Sequence, residues 1–483
     1  MTQNAILDLP AGFDRIGRHL GMDGQDVVAL ARELGTPLFV FSERRLRGNA
    51  GGFLRAARAG HARATVCYAS KACSNLNVLG IIREEGLSIE VNSGGEIAKA
   101  LAAGFAPAQM VFNGVAKSAP ELERAIALGI KAINADSPFE LARIAGVAAS
   151  LGRRANVSLR AVPGVAGGAT PGIQTGGADS KFGMTQDEIV AAIEIATAQR
   201  AHLEIVGLHI HIGSQVVETD AYLAGVAFAA EQARSIGERL GAPLRHVNLG
   251  GGYPTDYTHR GRQGARNDVD QFAAARSAAT MVSDVAAAAA RAFGDGVEIL
   301  FEPGRAIVAD SAVLLTQVES MRRRGGQPWL YLDAGYNTLL DSTAVRWYFH
   351  MMTANRLDDG AEEQFRVVGP LCDSADCFFD VEGEYLLKSL LKRLPDLSAE
   401  QRDILRAEVV RLPSTRRLAA RTTPGDIVAL FDVGAYSLEE MFQYCGRLRP
   451  AAVMIGLDGG IRTMRVRDSD QDLMVHERTA EAS

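Results

Sequence analysis

The chain is poor in the residue types that mark several familiar classes of protein. It has five cysteines and two tryptophans in 483 residues, and only 6% of its residues are aromatic. The cysteines are Cys67, Cys73, Cys372, Cys377 and Cys445. An odd number of sparse cysteines without paired metal spacing is typical of reduced thiols. The counts argue against a disulfide-rich secreted scaffold and predict a cytoplasmic protein.

The charge balance and the hydrophobic pattern argue against two further classes. The formal net charge is −6, so no basic field would attract nucleic acid or an anionic membrane. No apolar run is long enough to span a bilayer, and residues 1–10 lack the features of a signal peptide. With 47% hydrophobic and 22% charged residues, the chain can bury large cores without disulfides or metals.

Between residues 64 and 303, short apolar runs alternate with amphipathic stretches. The runs predict eight strands, at 64–69, 88–91, 110–113, 131–135, 157–162, 205–212, 246–249 and 297–301. Helices are predicted between them, at 76–85, 95–103, 119–128, 138–151, 186–198, 221–240 and 271–292. Eight β/α units in succession are typical of a closed (β/α)8 barrel of the TIM type, although an open doubly wound sheet alternates in the same way. The lack of a dinucleotide-binding glycine pattern favours the barrel.

After Arg305 the pattern changes to short β-like segments, which predict a second, β-rich domain of barrel or sandwich type. These segments lie at 312–318, 329–332, 365–368, 427–431, 452–455 and 463–466. A strand at 37–41 precedes the barrel, and we expect it to join the β-rich domain. The predicted division is an N-terminal segment 1–45, a barrel 46–305, and a β-rich domain 306–483 with a helical surface insertion at about 381–421. Ser398 and Gln401 form a capping-box pattern in that insertion.

Polar residues collect at the carboxyl ends of the eight predicted strands, where the active sites of such barrels lie. Packing alone would not demand polar residues at this end. In strand order they are Lys71, Glu90, Asn113, Asp136, Arg160, His209 with His211, Gly250-Gly-Gly252, and Glu302 with Arg305.

Four of these features suit one kind of cofactor. A lysine such as Lys71 becomes a nucleophilic amine when it is partly desolvated. The glycines of Asn248-Leu-Gly-Gly-Gly252 let backbone amides approach a phosphate, and Ser214 would add a hydroxyl. Glu302 can keep a heteroaromatic nitrogen protonated, and the flat ring of His211 can stack on a cofactor.

Each feature alone has a plainer explanation: a surface lysine, a tight turn, a structural ion pair and a core histidine. His209 also fits a core histidine. Together, however, the four features specify pyridoxal 5'-phosphate (PLP), bound covalently through Lys71 and used as an electron sink. We expect no metal, because no cluster of His, Cys, Asp or Glu has convincing metal-binding spacing.

The sequence also resembles a known family, the fold type III PLP-dependent decarboxylases of diaminopimelate, ornithine, lysine and arginine. The resemblance covers nearly the whole chain, from Gly35-Thr-Pro37 to Arg449-Pro450. The motifs that carry it are Tyr68-Ala-Ser-Lys71, Ser93-Gly-Gly-Glu96, His211-Ile-Gly-Ser214, Gly250-Gly-Gly252, Glu302-Pro-Gly-Arg305, Gly369-Pro-Leu-Cys-Asp373 and Gly434-Ala-Tyr436. It implies an alanine racemase-like barrel with a β-rich domain, and a head-to-tail homodimer with two shared active sites.

The resemblance implies a role for each matching residue. Lys71 would hold PLP, His211 would stack on its ring, and Glu302 would pair with its pyridine nitrogen. The residues expected at or beside the phosphate are Ser214, Gly251, Gly252, Arg305 and Tyr436. Two further residues, Glu90 and Arg160, are expected to contact other parts of the cofactor. Cys372 and Asp373 would come from the partner subunit, the first to reprotonate the substrate carbon and the second to grip the distal amine. Asp333 and Tyr436 are also expected to bind substrate.

Several positions depart from the diaminopimelate decarboxylase pattern. Glu90 replaces an aspartate, Val162 stands where an asparagine is expected, and Cys372-Asp-Ser374 replaces Cys-Glu-Ser. Leu340-Asp-Ser342 stands where those enzymes carry the Arg-Pro that holds the distal carboxylate. Loss of that arginine removes a bidentate partner for a carboxylate, unless Arg346 replaces it.

These departures predict a substrate that ends in an amine, such as lysine or ornithine, and a diamine and CO2 as products. The segments Asp333-Ala-Gly-Tyr-Asn337 and Gly369-Pro-Leu-Cys-Asp373, with Trp347-Tyr-Phe349 between them, are most similar to bacterial D-ornithine/D-lysine decarboxylases, so the D-enantiomers are candidates. The alternative is decarboxylation of meso-diaminopimelate to L-lysine.

Two other classes compete with the decarboxylase hypothesis. An alanine racemase-type enzyme would share the barrel and Lys71, but it would need a catalytic tyrosine in place of Cys372. A PLP-binding regulatory homologue would have no need of a proton donor. The intact set of Lys71, Glu302, Cys372 and Asp373 therefore favours a decarboxylase.

Overall fold

A computed structural model describes residues 9–164, 167–168, 180–259 and 267–478. The chain forms two compact units. The β-rich unit consists of Met1–Arg45, Asp256–Ala273 and Ala309–Ser483, and the barrel unit consists of Leu46–Thr255 and Ala274–Val308.

The β-rich unit begins with elements that the sequence pattern did not predict. They are β1 (Phe13–Ile16), β2 (His19–Met22), β3 (Gln25–Asp26) and α1 (Val27–Leu34), followed by β4 (Leu38–Ser42). Asp26 starts α1, because its Oδ1 accepts from the N–H groups of Val28 and Ala29 at 2.9 and 3.0 Å. Strands of two to four residues are too short for a clear alternation of apolar and polar positions.

The barrel unit then follows the predicted order. Its elements are α2 (Glu43–Gly60), β5 (Ala64–Ala69), α3 (Leu76–Glu84), β6 (Ser88–Val91), α4 (Gly94–Ala102), β7 (Met110–Phe112), α5 (Ala119–Leu128), β8 (Ala132–Ala135), α6 (Pro138–Ser150), β9 (Ala155–Arg160), β10 (Gly167–Gly168), α7 (Gln186–Ala198), β11 (Leu203–His209), β12 (Gly213–Ser214), α8 (Thr219–Leu240), β13 (His246–Asn248), α9 (Ala278–Phe293), β14 (Glu298–Phe301) and α10 (Arg305–Val308). Eight parallel strands close into a barrel in the order β5-β6-β7-β8-β9-β11-β13-β14. The barrel prediction is confirmed, and the open-sheet alternative is wrong.

Serine caps begin several of the barrel helices directly after the strands. Ser93 accepts from the N–H of Glu96 and starts α4, and Ser137 accepts from the N–H of Glu140 and starts α6. Short strand-to-helix connections of this kind keep each strand end at the same rim of the barrel. They therefore bring residues from distant parts of the sequence to one site.

The rest of the β-rich unit is formed by β15 (Ala312–Arg324), β16 (Gln327–Leu332), α11 (Asp341–Ala344), β17 (Met351–Thr353), β18 (Glu362–Val368), α12 (Val381–Arg393), α13 (Ala399–Val409), β19 (Arg416–Ala419), β20 (Ile427–Phe431), β21 (Ala451–Ile455), β22 (Ile461–Arg465) and α14 (Asp470–Met474). A nine-stranded sheet contains β4 between β15 and β21, so the predicted union of the N-terminal strand with this domain is confirmed. The capping box at Ser398 and Gln401 starts α13.

One segment departs from the predicted division. Asp256–Ala273 belongs to the β-rich unit, and the helix predicted at 271–292 begins only at Ala278. Aromatic packing explains this, because the ring centroids of Tyr257 and Phe272 lie 5.1 and 5.0 Å from that of Trp347. Within the described ranges, no helix has the length and apolar character needed to cross a bilayer.

Candidate active site

Glu302 is the centre of a buried hydrogen-bond network at the carboxyl ends of the barrel strands. It follows β14 and is 6% exposed. Asn248, at the end of β13, donates to its Oε1 at 2.7 Å, and Asn113, after β7, donates to both carboxylate oxygens at 3.1 and 3.0 Å. His209, at the end of β11, contacts Oε2 through Nε2 at 3.2 Å. Three different strand ends therefore direct hydrogen-bond donors at one carboxylate.

This network keeps Glu302 ionised. Burial alone would raise the pKa of Glu302, but the contacts with His209 and Asn248 lower that pKa to about 2. Burial lowers the pKa of His209, so its ring is neutral at pH 7 and donates through Nε2. The Nδ1 atom of His209 has no hydrogen-bond partner in the described part of the chain, so nothing there competes with Nε2 for the ring proton.

Lys71 lies in the short turn Ser70–Ala72 after β5 and is exposed. Burial lowers the pKa of His211 well below its usual value, and the positive charge of Lys71 adds to this effect. The Nδ1 of His211 accepts from the N–H of Gly251 at 3.2 Å. His211 is therefore a neutral, flat ring within electrostatic reach of the lysine amine.

Glu90, on β6, differs from Glu302 in its surroundings. Its side chain is 1% exposed, and neither carboxyl oxygen has a hydrogen-bond partner among the described residues. Burial raises the pKa of Glu90 to about 8, although Lys71 acts in the opposite direction. Glu90 is therefore a neutral acid near the same lysine.

The backbone after β13 approaches its neighbours too closely for any side chain. A Cβ at Gly251 would lie 2.0 Å from the carbonyl oxygen of Glu302, and one at Gly252 would lie 2.2 Å from that of Gly213. Arg305 is 5% exposed, and its Nε lies 3.4 Å from the hydroxyl oxygen of Ser214. The Arg305 cation and the Ser214 hydroxyl thus lie close together, and these groups, with the glycine backbone after β13, are suited to binding a phosphate.

Arg160, the last residue of β9, lies at the same rim. Its guanidinium is 3.6 Å from Asp136 and 4.4 Å from the ring centroid of Phe182, over the face of that ring. Burial lowers the pKa of Arg160 and raises the pKa of Asp136, while each charge opposes the effect of burial on the other.

The barrel has a suitable group for each functional part of PLP. The ionised Glu302 suits the pyridine nitrogen, and the buried Arg305 with the glycine backbone suits the phosphate. The neutral ring of His211 suits stacking, and the amine of Lys71 suits the aldehyde carbon. Residues 53–309 match the family model described as "pyridoxal-dependent decarboxylase, pyridoxal binding domain".

The chain belongs to the PLP-dependent decarboxylases. It is an amino-acid decarboxylase with PLP as its cofactor. Relatives include the diaminopimelate decarboxylases of Methanothermobacter thermautotrophicus, 32% identical over 94% of this chain and 95% of the relative, and of Pseudomonas aeruginosa, 31% identical over 94% and 96%. The Methanocaldococcus jannaschii diaminopimelate decarboxylase, solved with L-lysine, is 26% identical, covers 98% of both chains and superposes with a TM-score of 0.81.

These similarities refine the resemblance seen in the sequence. The decarboxylase family is confirmed, and diaminopimelate decarboxylases are the relatives that the comparisons bring out. The predicted D-ornithine/D-lysine branch receives no support from them.

Two of the predicted site residues, Cys372 and Asp373, lie in the β-rich unit, in the loop after β18. Cys372 is exposed, and Asp373 is partly exposed. The N–H of Ala375 donates to one Asp373 oxygen at 2.9 Å and the hydroxyl of Tyr336 donates to the other at 2.7 Å. These bonds lower the pKa of Asp373, which is therefore an ionised acid on a defined loop.

Asp333 and Tyr436 also lie in the β-rich unit. The Oδ1 of Asp333 accepts from the hydroxyl of Thr316 at 2.5 Å and from the N–H of Gln317 at 2.9 Å. This oxygen therefore already has two hydrogen-bond donors, both from β15. Tyr436 has a φ of +59°, a left-handed conformation that is rare for a bulky residue and common at functional sites. The individual roles assigned to the site residues stay predictions.

Sequence reasoning missed the support around Glu302. His209 fitted a core histidine, and the side chains of Asn113 and Asn248 received no role. The available signal was their position at strand ends. Their convergence on one carboxylate depends on closure of the barrel, which places β7, β11 and β13 around the end of β14.

Proposed function

We propose that this enzyme decarboxylates meso-diaminopimelate to L-lysine. The support is the agreement of relatives that carry this activity in their names and match more than nine-tenths of both chains. The Methanocaldococcus jannaschii structure contains L-lysine, the molecule that remains when diaminopimelate loses one carboxyl group.

Bound PLP supplies the conjugated ring that accepts the electron pair left by departing CO2. Lys71 provides the amine that holds the cofactor, and Glu302 favours a proton on the aromatic nitrogen that faces it. His211 restrains the ring by stacking. After CO2 has left, the thiol of Cys372 gives a proton to the substrate carbon, and Asp373 binds the distal amine.

A second candidate substrate, lysine or ornithine, is favoured by the charges that would meet the far end of the substrate. Asp341 stands where the resemblance places an arginine for the distal carboxylate. Arg346, the possible replacement, is paired with Asp380 at 2.9 Å and also with Glu382. An arginine that already serves two carboxylates is a poor partner for a third.

An aromatic cluster also favours a substrate that ends in an ammonium group. The ring centroid of Tyr336 lies 6.0 Å from those of both Phe442 and Tyr444, and its hydroxyl donates to Asp373. Aromatic faces beside an ionised acid attract cations. Diaminopimelate has a carboxylate next to its distal amine, whereas lysine and ornithine have the amine alone.

We also propose that the enzyme is a homodimer whose two sites each combine a barrel from one subunit with the Cys372 loop of the other. The support is the family resemblance and the exposure of Cys372. We propose neither a membrane nor a nucleic acid as a partner of this enzyme.

CO2 release from single substrates tests the two candidates. Purified enzyme with PLP is given meso-diaminopimelate and both enantiomers of lysine and of ornithine, with Lys71→Ala as the blank. Release from diaminopimelate, with little from the others, supports the proposal. Release from lysine or ornithine alone refutes it in favour of the second candidate and identifies the accepted enantiomer.

A matched variant makes the test sharper. Asp341→Arg restores the cation that the family pattern places at this position. If Asp341 selects against a distal carboxylate, the variant should use diaminopimelate better than the wild type and lysine worse. An unchanged preference would show that Asp341 does not contact the substrate.

A further inference from the structure

Asp376 is a buried carboxylate that ties together two loops of the β-rich unit. Its side chain is 3% exposed. Oδ2 accepts from the N–H of Leu371 at 2.7 Å, and Oδ1 accepts from the N–H of Tyr336 at 2.9 Å. Leu371 directly precedes Cys372, and the hydroxyl of Tyr336 holds Asp373. One side chain therefore fixes the backbone directly before the proposed functional pair and the backbone of the tyrosine that holds Asp373.

The backbone of Asp376 closes the same loop. Its carbonyl accepts from the N–H of Gly369 at 3.0 Å, and its own N–H donates to the carbonyl of Asp373 at 3.2 Å. Main-chain and side-chain bonds of one residue thus span the segment from Gly369 to Asp376. A loop held this way keeps Cys372 exposed without leaving its backbone mobile.

The carboxylate of Asp376 occupies the space that a side chain at either of two neighbouring glycines would need. A Cβ at Gly335 would lie 2.3 Å from Oδ1 of Asp376, and a Cβ at Gly369 would lie 2.3 Å from Oδ2. Neither glycine has a left-handed φ. The need for glycine at these two positions therefore comes from the closeness of Asp376 and not from the backbone conformation.

We propose that Asp376 is a positioning residue that fixes Cys372 relative to Asp373 and Tyr336. The proposal rests on the roles proposed above for Cys372 and Asp373. A diamino acid must place its α-carbon at the proton donor while its distal amine lies at the acid. These two contacts can form together only if Cys372 and Asp373 keep a constant separation.

Loss of this bond pattern has a specific consequence for the reaction. Asp376→Asn replaces one acceptor oxygen with an N–H donor group, so one of the two amides loses its partner. Asp373 then binds the distal amine less well, and KM rises. Proton delivery from Cys372 also falls behind the loss of CO2. Where the proton would reach the cofactor in place of the α-carbon, hydrolysis by water would release a carbonyl compound and leave the amino group on the cofactor, so less amine than CO2 would be released.

Asp380 provides a matched control in the same unit. It is 2% exposed and also accepts from two backbone N–H groups, those of Gly383 at 2.8 Å and Arg411 at 2.9 Å. Asp380 differs from Asp376 in its ion pair with Arg346 at 2.9 Å, so exchange and the amine-to-CO2 ratio, not KM, are the matched readouts. Its loops carry neither Cys372 nor Asp373. Asp376→Asn and Asp380→Asn are therefore compared as holoenzymes by amide hydrogen exchange, by kcat and KM, and by the ratio of amine formed to CO2 released.

We expect Asp376→Asn to speed exchange at residues 335–337 and 369–376, to lower kcat/KM on the order of 100-fold, and to bring the amine-to-CO2 ratio below one. Asp380→Asn should speed exchange only near residues 381–384 and 410–412 and keep the ratio at one. If Asp376→Asn does not fold, Gly369→Ala displaces the same carboxylate without removing it and is expected to lower the same ratio.

Three results would overturn the inference: unchanged exchange in Asp376→Asn, a ratio and KM like those of the wild type, or equal losses in the Asp380→Asn control. The exchange comparison needs no substrate. Failure of the proposed function would instead show in the wild type, as an absence of CO2 from diaminopimelate, lysine and ornithine.

Discussion

At the scale of single residues, Glu302 and Glu90 show how surroundings decide the charge of a carboxyl group. Both are buried, and they lie on β14 and β6 or just after them, the two strands that pair with β5. Glu302 has hydrogen-bond donors and a pKa of about 2, whereas Glu90 has none in the described structure and a pKa of about 8. The strand that leads to Lys71 thus lies between the strands that carry an anion and a neutral acid, a division of roles common in active sites.

The raised pKa of Glu90 predicts a specific pH dependence of stability. An acid whose pKa is higher in the folded state than in the unfolded state stabilises the fold at low pH, and this stabilisation is lost as pH rises through about 8. Glu90→Gln removes that dependence. We expect the stability of the variant relative to the wild type to improve between pH 5 and pH 8, by at most about 1.4 kcal/mol per pH unit.

Urea unfolding at a series of pH values, on protein freed of PLP, measures this difference. Lys117, also buried, is bonded to Glu140, so Glu140→Gln serves as a control at a carboxylate that already has a partner. Parallel stability curves for wild type and Glu90→Gln would show that Glu90 is ionised in the folded protein.

At the scale of elements, the loops after β11 and β13 can contact each other closely because glycines lie where they meet. Gly252 has a φ of +93°, and a Cβ added to it would lie 2.2 Å from the carbonyl oxygen of Gly213. We expect Gly252→Ala to destabilise the barrel unit by about 2 to 4 kcal/mol and to weaken PLP binding at least tenfold, because it combines a left-handed alanine with a steric clash.

Gly241 offers the control for this prediction. It also has a left-handed φ, +72°, at the end of α8, but nothing lies within 4 Å of the Cβ that a substitution would add. Gly241→Ala should cost about 1 kcal/mol and leave PLP affinity unchanged. Calorimetric PLP titration and urea unfolding give both values, and equal effects of the two variants would rule out a crowded phosphate cradle.

Sequence patterns located the barrel elements well because each barrel strand is a buried apolar run. They placed the end of α7 at its observed residue but began α9 seven residues early, because the prediction overlooked Ser277, which caps the helix by accepting from the N–H of Thr280. The N-terminal β1–β3 sheet and α2 were missed. The long α2 contains four glycines and few large apolar residues, so it has a low overall hydrophobicity and a composition that is poor in strong helix formers other than alanine and arginine.

At the scale of the whole molecule, the proposed shared site predicts complementation between subunits. Lys71→Ala and Cys372→Ala proteins are each expected to be inactive. If Cys372 of the partner subunit completes each site, subunit exchange between these variants restores one intact site per mixed dimer, and roughly a quarter of wild-type activity should return.

Activity is measured as formation of the decarboxylated amine product after refolding the two variants together, and native mass spectrometry counts the mixed dimers. A mixture of Lys71→Ala with Glu302→Ala should stay inactive, because both residues lie in the barrel unit and every mixed site lacks one of them. Mixed dimers of the first pair without activity would show that each subunit uses its own Cys372.

The sequence by itself determined the barrel, the β-rich domain, the cofactor and the family, because apolar runs, strand-end residues and contiguous motifs are local features. Only the tertiary structure placed Asn113, Asn248 and His209 around Glu302, left the carboxyl oxygens of Glu90 without a hydrogen-bond partner among the described residues, and tied the Cys372 loop to Tyr336 through Asp376. These contacts join residues far apart in the chain. The charges and positions that result depend on burial and distance, which arise only when the barrel closes and the loops of the β-rich unit pack.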